Sequence, residues 1–296
     1  MTLTIDQHAR PVIFGECLFD HYPDGNKVLA GAPLAVAWHL QGFGLRPLLI
    51  TRIGQDIEGE IALTLMHQWG LDTCAVQIDT EHATGSVTIT SENNENKFEI
   101  KSNQAWDHIS SHLSLEWVRT LPCSLLYAGT LAQRSPISHK TLQRLILETN
   151  LPVFIDLNLR KPWTKQTIIE QSLDEAHWVK LNNEELKEIA NSEKELKKQH
   201  DIETIYNTRG KKGAVVINEK EHLEIPAEKI TNLKDTVGAG DAFSAVCILG
   251  LHKSWTLRQT TARANEFAAK ICQYQGATAL SKHDYKDFLT KWNSMT

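Results

Sequence analysis

In the 296-residue chain, the stretch 235-DTVGAGDAF-243 sets two glycines about one alanine and follows them at once with a carboxylate, Asp241. The apolar run that comes next puts Phe243, Val246, Cys247 and Gly250 on one helical face, so Gly238, Ala239 and Gly240 would form a helix N-terminus. Unpaired N–H groups and the positive end of the helix dipole converge there on an anion, and glycine lets that anion approach the backbone. A carboxylate in this position would repel the ligand of its own anion hole. The conflict dissolves if Asp241 faces an incoming hydroxyl and accepts its proton while the N–H groups hold charge on a phosphoryl group in transfer. The residue-level alternative is an aspartate that only caps its helix. Other phosphate loops are excluded: the chain has no GxxxxGK[ST], and Phe243 stands where a dinucleotide fingerprint needs its third glycine.

The composition is that of an ordinary globule, with 41% hydrophobic and 23% charged residues. No Pro/Ser/Gly-rich linker divides the chain, which reads as a single large domain over residues 1–296. A net charge of −5 without a Lys/Arg run argues against nucleic acid or an anionic membrane as partner and favours a small substrate. The N-terminus lacks a signal-peptide pattern and no apolar run approaches membrane-spanning length, so a cytoplasmic protein is expected. Five scattered cysteines without CxxC, and 13 histidines without HExxH, predict neither a disulfide framework nor a zinc site.

Short β-rich runs alternate with longer amphipathic ones. Strands are predicted at 11–14, 47–50, 124–128, 152–156, 177–181 and 214–217, and helices from Pro33 to Gly42, Ile57 to Trp69, Ser135 to Thr149, Asn182 to Ala190, Asp241 to His252 and Leu257 to Tyr274. The alternation predicts an α/β fold: a mostly parallel central sheet covered by helices on both faces. In 84-TGSVTITSENNENKFEI-100, alternating runs flank the polar turn ENNENK. That pattern predicts an antiparallel hairpin projecting from the sheet, either a lid or a decorative excursion.

With these elements in place, DTVGAGDAF resembles the DTxGAGD signature of the ribokinase-like (PfkB) carbohydrate kinases. Further stretches match the family in order and spacing: 15-GECLFDHYPDG-25, 30-AGAPLAVAWHLQGFG-44, 51-TRIGQDIEG-59, 156-DLNLR-160, 182-NNEE-185 and 208-TRGKKGA-214, with the fructokinase branch nearest in appearance. The resemblance implies ATP-dependent transfer of the γ-phosphoryl group to a primary hydroxyl of a sugar. Asp241 would be the catalytic base, and the backbone of Gly238, Ala239 and Gly240 the anion hole. Asp20, Gly31 and Arg160 would contact the sugar, as would Phe98 and Lys101 of a β-lid built from about 16–32 and 84–102. Asn182, Thr208, Gly210 and Asn265 would line the nucleotide site. Glu185 would act on Mg2+ through water, and Asp235 on a monovalent cation such as K+, with homodimers forming through the lid.

Each of these residues also has a plainer reading. Asn182 and Glu185 read as a helix cap, Asp235 as a turn-fixing side chain, Gly31 as a turn glycine, Asn265 as a solvent-facing helix residue and Lys101 as solvated. The sequence departs from the family where Ala30 replaces the first glycine of GGAPxNVA and Ala35 its asparagine. Alanine has no donor or acceptor to replace a sugar contact, which leaves the acceptor open between fructose and a related sugar or polyol whose hydroxyl there is absent or differently placed. Two further readings follow: a catalytically silent nucleotide- or sugar-binding relative acting as a sensor, and a kinase for a nucleoside or a sugar phosphate, with Lys101, Arg134 and Arg160 as its basic residues.

Overall fold

The structure, a computed structural model, describes residues 5–92, 95–278 and 280–294. In chain order the elements are β1 (Arg10–Phe14), β2 (Leu18–His21), β3 (Lys27–Ala30), α1 (Ala32–Gly42), β4 (Leu48–Gly54), α2 (Ile57–Trp69), β5 (Val76–Asp79), β6 (Gly85–Glu92) and β7 (Glu95–Ile100). There follow α3 (Ser111–Thr120), β8 (Cys123–Gly129), α4 (Pro136–Thr149), β9 (Val153–Asp156), α5 (Gln166–Glu175), β10 (Trp178–Asn182), α6 (Asn183–Ile189), α7 (Glu193–His200) and β11 (Thr204–Thr208). The chain closes with β12 (Ala214–Ile217), β13 (His222–Ile225), α8 (Ala239–His252), α9 (Leu257–Ile271) and α10 (Lys282–Asn293).

Nine strands form the main sheet in the order β13-β12-β11-β10-β9-β8-β1-β4-β5, in which β12 alone runs against the others and so makes antiparallel pairs with β11 and β13. Successive residues of one strand feed opposite cores. Ile13, Tyr127 and Phe154 join α1, α8 and α9 on one face, while Val12, Phe14, Leu126 and Ile155 join α3, α4 and α5 on the other. This is why the strands read as unbroken apolar runs rather than alternating ones. The helix punctuation also follows the sequence: Asp56 caps α2 by accepting from the Gly59 N–H, and Gly70 ends it in the left-handed region at φ 86°.

Three expectations are adjusted. AVVI (214–217) forms an antiparallel strand, turned back from β11 by a short 3-10 turn, rather than a parallel one. The 257–274 helix ends at Ile271, and the hairpin strands extend into ENNENK, of which 93–94 lie outside the described residues. Strands β5, β11 and β13 were not anticipated.

A second, four-stranded sheet has the order β3-β2-β6-β7, with β2 and β6 parallel and both outer pairs antiparallel. Asp20 pairs with Val28 and Val87, and Ile89 with Phe98, so Asp20, Val87, Ile89 and Phe98 lie on one face of this sheet. Among the described residues no helix is long and apolar enough to cross a membrane.

Candidate active site

The turn into α8 is held from both ends. Asp235 accepts the Val237 N–H at 3.0 Å and the Gly276 N–H at 3.3 Å, and Ala239 N–H donates to the Thr236 carbonyl. Asp235 therefore does what a turn-fixing side chain does. Gly238 is the N-cap at φ 80° and brings no side-chain cap, so the first-turn N–H groups of Gly240 and Asp241 have no capping side chain. A Cβ on Gly238 would stand 2.3 Å from the Ala277 Cβ, and one on Gly240 2.7 Å from the Lys180 Nζ. Both glycines are thus demanded by the protein's own packing before any ligand arrives.

Beneath the turn lies an ionic group made of Asp156, which opens the DLNLR stretch but was given no role, and Lys180, which no motif includes. The Lys180 Nζ donates to both carboxylate oxygens of Asp156 at 3.1 Å, and Ser244 donates to Asp156 Oδ2 at 2.8 Å, all fully buried. Asp156 ends β9, and Lys180 stands opposite it on β10. Burial pushes the Asp241 carboxyl up to about 7; Asp156 adds to the rise, Lys180 and Arg160 oppose it, and Glu16 raises it further. Asp241 is nonetheless only partly covered and keeps some of its surface exposed. Burial works against charge on Lys180, yet its carboxylate neighbours Asp156, Glu185 and Asp241 hold it above its ordinary range.

Coupled to this turn through Arg160 are the residues predicted to touch the acceptor. Asp20, on the inner strand β2 of the small sheet, is raised to about 6 by burial, with Arg160 lowering and Asp235 raising it. Arg160 also acts on Asp241 and on Glu16, so one guanidinium serves three carboxylates. Glu16, just past β1, was missed: it is 2% exposed, its Oε2 has no partner, and burial raises it to about 7 against the pull of its own and the Ala32 N–H groups. A glutamate directly after a buried strand was the available signal, because such a group is kept only when paired or used.

Gly31 caps α1 at φ 118°, and a Cβ there would lie 2.5 Å from the Glu16 carbonyl oxygen, so its neighbour is backbone. Ala35 is buried in the first turn of α1. Phe98 is 56% exposed on the same sheet face as Asp20. Lys101, one residue past β7, falls on the opposite alternation, and its carbonyl accepts from Arg134 Nη2. The Arg134 guanidinium is sandwiched between Trp106 and Trp163 and paired with Asp107 at 2.8 Å, which ties the exit of the small sheet to the loop carrying Arg160.

On the other flank, Asn182, Thr208 and Gly210 line one open cleft of about 650 Å3 with Lys187, Arg209 and Lys212 at its margin. Asn182 caps α6 by accepting the Glu184 and Glu185 N–H groups, and Glu185 returns the contact by accepting the Asn182 N–H at 2.7 Å. Asn265 is not brought into this cleft. Its side chain is 92% buried rather than solvent-facing, and its amide donates to the Ile225 and Pro226 carbonyls. Among the described residues no group of three His, Cys, Asp or Glu side chains is placed to hold a metal ion. Asp156, Asn182 and Thr208 end the parallel strands β9, β10 and β11, and Glu16 follows β1, the carboxyl side on which open α/β sheets bind ligands.

The model of the pfkB family of carbohydrate kinases matches residues 4–284. The chain belongs to this family. Phosphoryl transfer to an alcohol acceptor is therefore its chemistry. The fructokinase of Escherichia coli is 26% identical over 295 residues, covering 92% of this chain and 94% of that protein. A Pyrococcus horikoshii protein named as a sugar kinase is 26% identical over 277 residues, covering 90% and 86%. Among solved structures, the Xylella fastidiosa fructokinase with bound ATP superposes at a TM-score of 0.84 with 16% identity, over 96% of this chain and 99% of that one. The Vibrio cholerae fructokinase holding fructose, ADP and calcium reaches 0.80 with 22% identity, over 96% and 100%. These two likenesses show the shared fold, with its parallel sheet and separate small sheet.

Proposed function

We propose that this kinase transfers the γ-phosphoryl group of ATP to a primary hydroxyl of a neutral, polyhydroxylated sugar, with Asp241 as the base. The observation that carries this reading is the placement of Asp241 in the uncapped first turn of α8, coupled through Arg160 to Asp20 of the small sheet. The acceptor hydroxyl gives its proton to Asp241 as its oxygen attacks, and the Gly240 and Asp241 N–H groups take up charge on the phosphoryl oxygens. A carboxyl raised to about 7 is a stronger base than a surface aspartate and is still largely ionised above neutrality.

The acceptor's class follows from charge. Glu16, Asp20 and Asp241 face Arg160, while Arg134 is already taken by Asp107. An excess of carboxylates suits a neutral polyol and opposes a sugar phosphate or sugar acid. Phe98 supplies an apolar surface on the same sheet face as Asp20, two strands away, and the small sheet closes over the acceptor as a lid that excludes water. The same polar cleft supports an active enzyme over a silent sensor, because burying Asp241 among other carboxylates is costly unless it is used.

ATP occupies the cleft of Asn182, Thr208 and Gly210. Mg2+, when bound on the nucleotide, neutralises phosphate charge and retains much of its own water. Glu185 suits that water-mediated role, since it is buried and each of its oxygens accepts only one N–H donor. The test is ADP release from MgATP with a panel of neutral sugars, sugar acids, sugar phosphates and nucleosides, with Asp241→Ala alongside. A neutral sugar should stimulate release that the variant loses; stimulation confined to an anionic acceptor overturns the assigned class.

A further inference from the structure

Resting on the kinase reading above, we propose that Lys180 is a positioning residue of the transfer step, its ammonium group being the fixed positive charge beneath the Gly238–Gly240 turn. Three observations converge on it. Its Nζ stands 2.7 Å from the place a Cβ on Gly240 would take, so the absent side chain of the turn is the space the ammonium uses. Its two hydrogen bonds to Asp156, itself fixed by Ser244, leave the charge no other position. It is 5% exposed between the apolar Val179 and Leu181, where uncharged residues in place of both Lys180 and Asp156 would avoid the desolvation cost of the pair. A buried ion pair is weak evidence for stability, and its place against the anion turn is what needs an explanation.

The groups facing Lys180 are Asp156 from β9, Glu185 from α6 and Asp241 from α8. Those facing Asp241 are Asp156, Lys180, Arg160 and Glu16, with the buried Tyr127 hydroxyl close by. Before transfer, Lys180 is balanced by ionised Asp156 and Asp241. During transfer the acceptor O–H proton passes to an Asp241 oxygen, the acceptor oxygen bonds to phosphorus, and the bond to ADP breaks with its electron pair leaving on ADP. Asp241 is then neutral. One of the anions that offset Lys180 has vanished as negative charge gathers at the Gly240 and Asp241 N–H groups, so the turn's field becomes more positive in the transition state than in the ground state. Such differential stabilisation raises the rate rather than ground-state binding.

The decisive comparison is Asp156→Asn against the double variant Asp156→Asn/Lys180→Gln, which differ only in the Lys180 charge and leave an Asn–Gln amide pair in place of the ion pair. Removing the charge should lower kcat/KM for the acceptor by about 10- to 100-fold, mainly in kcat. It should also move the acid limb of the pH profile to higher pH, because Lys180 no longer opposes protonation of Asp241. A purely structural lysine would change melting temperature and leave that limb where it was. If the double variant does not fold, Lys180→Arg, which keeps the charge and the Asp156 partner, decides. It should retain at least about a tenth of wild-type kcat/KM with the wild-type acid limb. A folded Lys180→Arg protein whose limb has moved, or coincident profiles for the Asp156→Asn pair, overturns the proposal. A wild type silent with every acceptor sinks the kinase reading itself, whereas an active wild type with coincident variants sinks only the role of Lys180.

Discussion

Glu185 accepts the Leu159 N–H at 2.9 Å through one carboxylate oxygen and the Asn182 N–H at 2.7 Å through the other, so one side chain joins the NxxE helix start to the loop that carries Arg160. Nucleotide-side and acceptor-side segments are thereby built on one carboxylate. Glu185→Ala should leave two N–H donors without an acceptor and lower stability by about 2–4 kcal/mol. The acceptor KM should rise along with the KM for MgATP as the loop loosens. Chemical denaturation and two-substrate kinetics check this: a rise in the MgATP KM alone, with unchanged stability, would assign Glu185 to the metal only.

Asp241 carries a stability cost that its function explains. A carboxylic acid whose pKa is raised in the fold from 3.8 to about 7 binds more protons folded than unfolded across that interval. Its contribution is therefore full below pH 4 and is lost as pH rises through about 7; activity runs the opposite way, since the base must be ionised. Asp241→Asn should lower kcat on the order of 10²–10⁴-fold. At pH 8 it should nonetheless raise unfolding free energy by roughly 1–2 kcal/mol, because a neutral amide no longer suffers the repulsion of Asp156 and Glu16. Melting curves at pH 5 and pH 8 test the sign: the wild-type minus variant difference should shrink at pH 5, and a less stable variant at pH 8 contradicts the account.

The strand runs and most helix bounds were legible because they are local, although the Asp56 cap itself was not singled out. PVIF, SLLYA and PVFID needed only continuous hydrophobicity, and Asp56, Gly70 and Pro33 act on their own helices. Strand β11, TIYNT, was hidden because its polar Asn207 is satisfied at a distance by Glu193, which no local pattern announces. The motif glycines were located correctly but explained incompletely. Ala277, the Lys180 ammonium and the Glu16 carbonyl, which come from remote parts of the chain, occupy the space beside Gly238, Gly240 and Gly31. The pairing of Lys180 with Asp156, the first residue of DLNLR, was hidden for the same reason: nothing local links them until adjacent strands align them. A lysine inside a run buried on both faces was itself a signal that a buried partner must exist.

Gly238→Ala isolates the packing part of the turn. At φ 80° an alanine is strained, and its Cβ would lie 2.3 Å from that of Ala277. Left-handed strain and overpacking together should cost about 2–4 kcal/mol in unfolding free energy. Adding Ala277→Gly removes the steric partner but not the backbone strain, so the pair should recover part of the loss. Equal stabilities for Gly238→Ala with and without Ala277→Gly would mean that backbone conformation alone dictates the glycine.

Arg160 offers the sharpest test of how the acceptor wall is organised. It is exposed, yet it lowers the proton affinity of Glu16, Asp20 and Asp241 together, and the Leu159 peptide beside it is pinned by Glu185. Arg160→Met keeps most of the aliphatic stem and removes the charge, so the fold should be little changed, as for other substitutions at exposed positions. Without the guanidinium, Asp241 should hold its proton more tightly, and the acid limb of kcat/KM should move to higher pH. The acceptor KM should rise about tenfold while the KM for MgATP stays near wild type, because Arg160 faces the carboxylates of the acceptor side and does not line the Asn182–Gly210 cleft. A variant with a wild-type acid limb and a raised MgATP KM instead would move Arg160 from the acceptor to the phosphates.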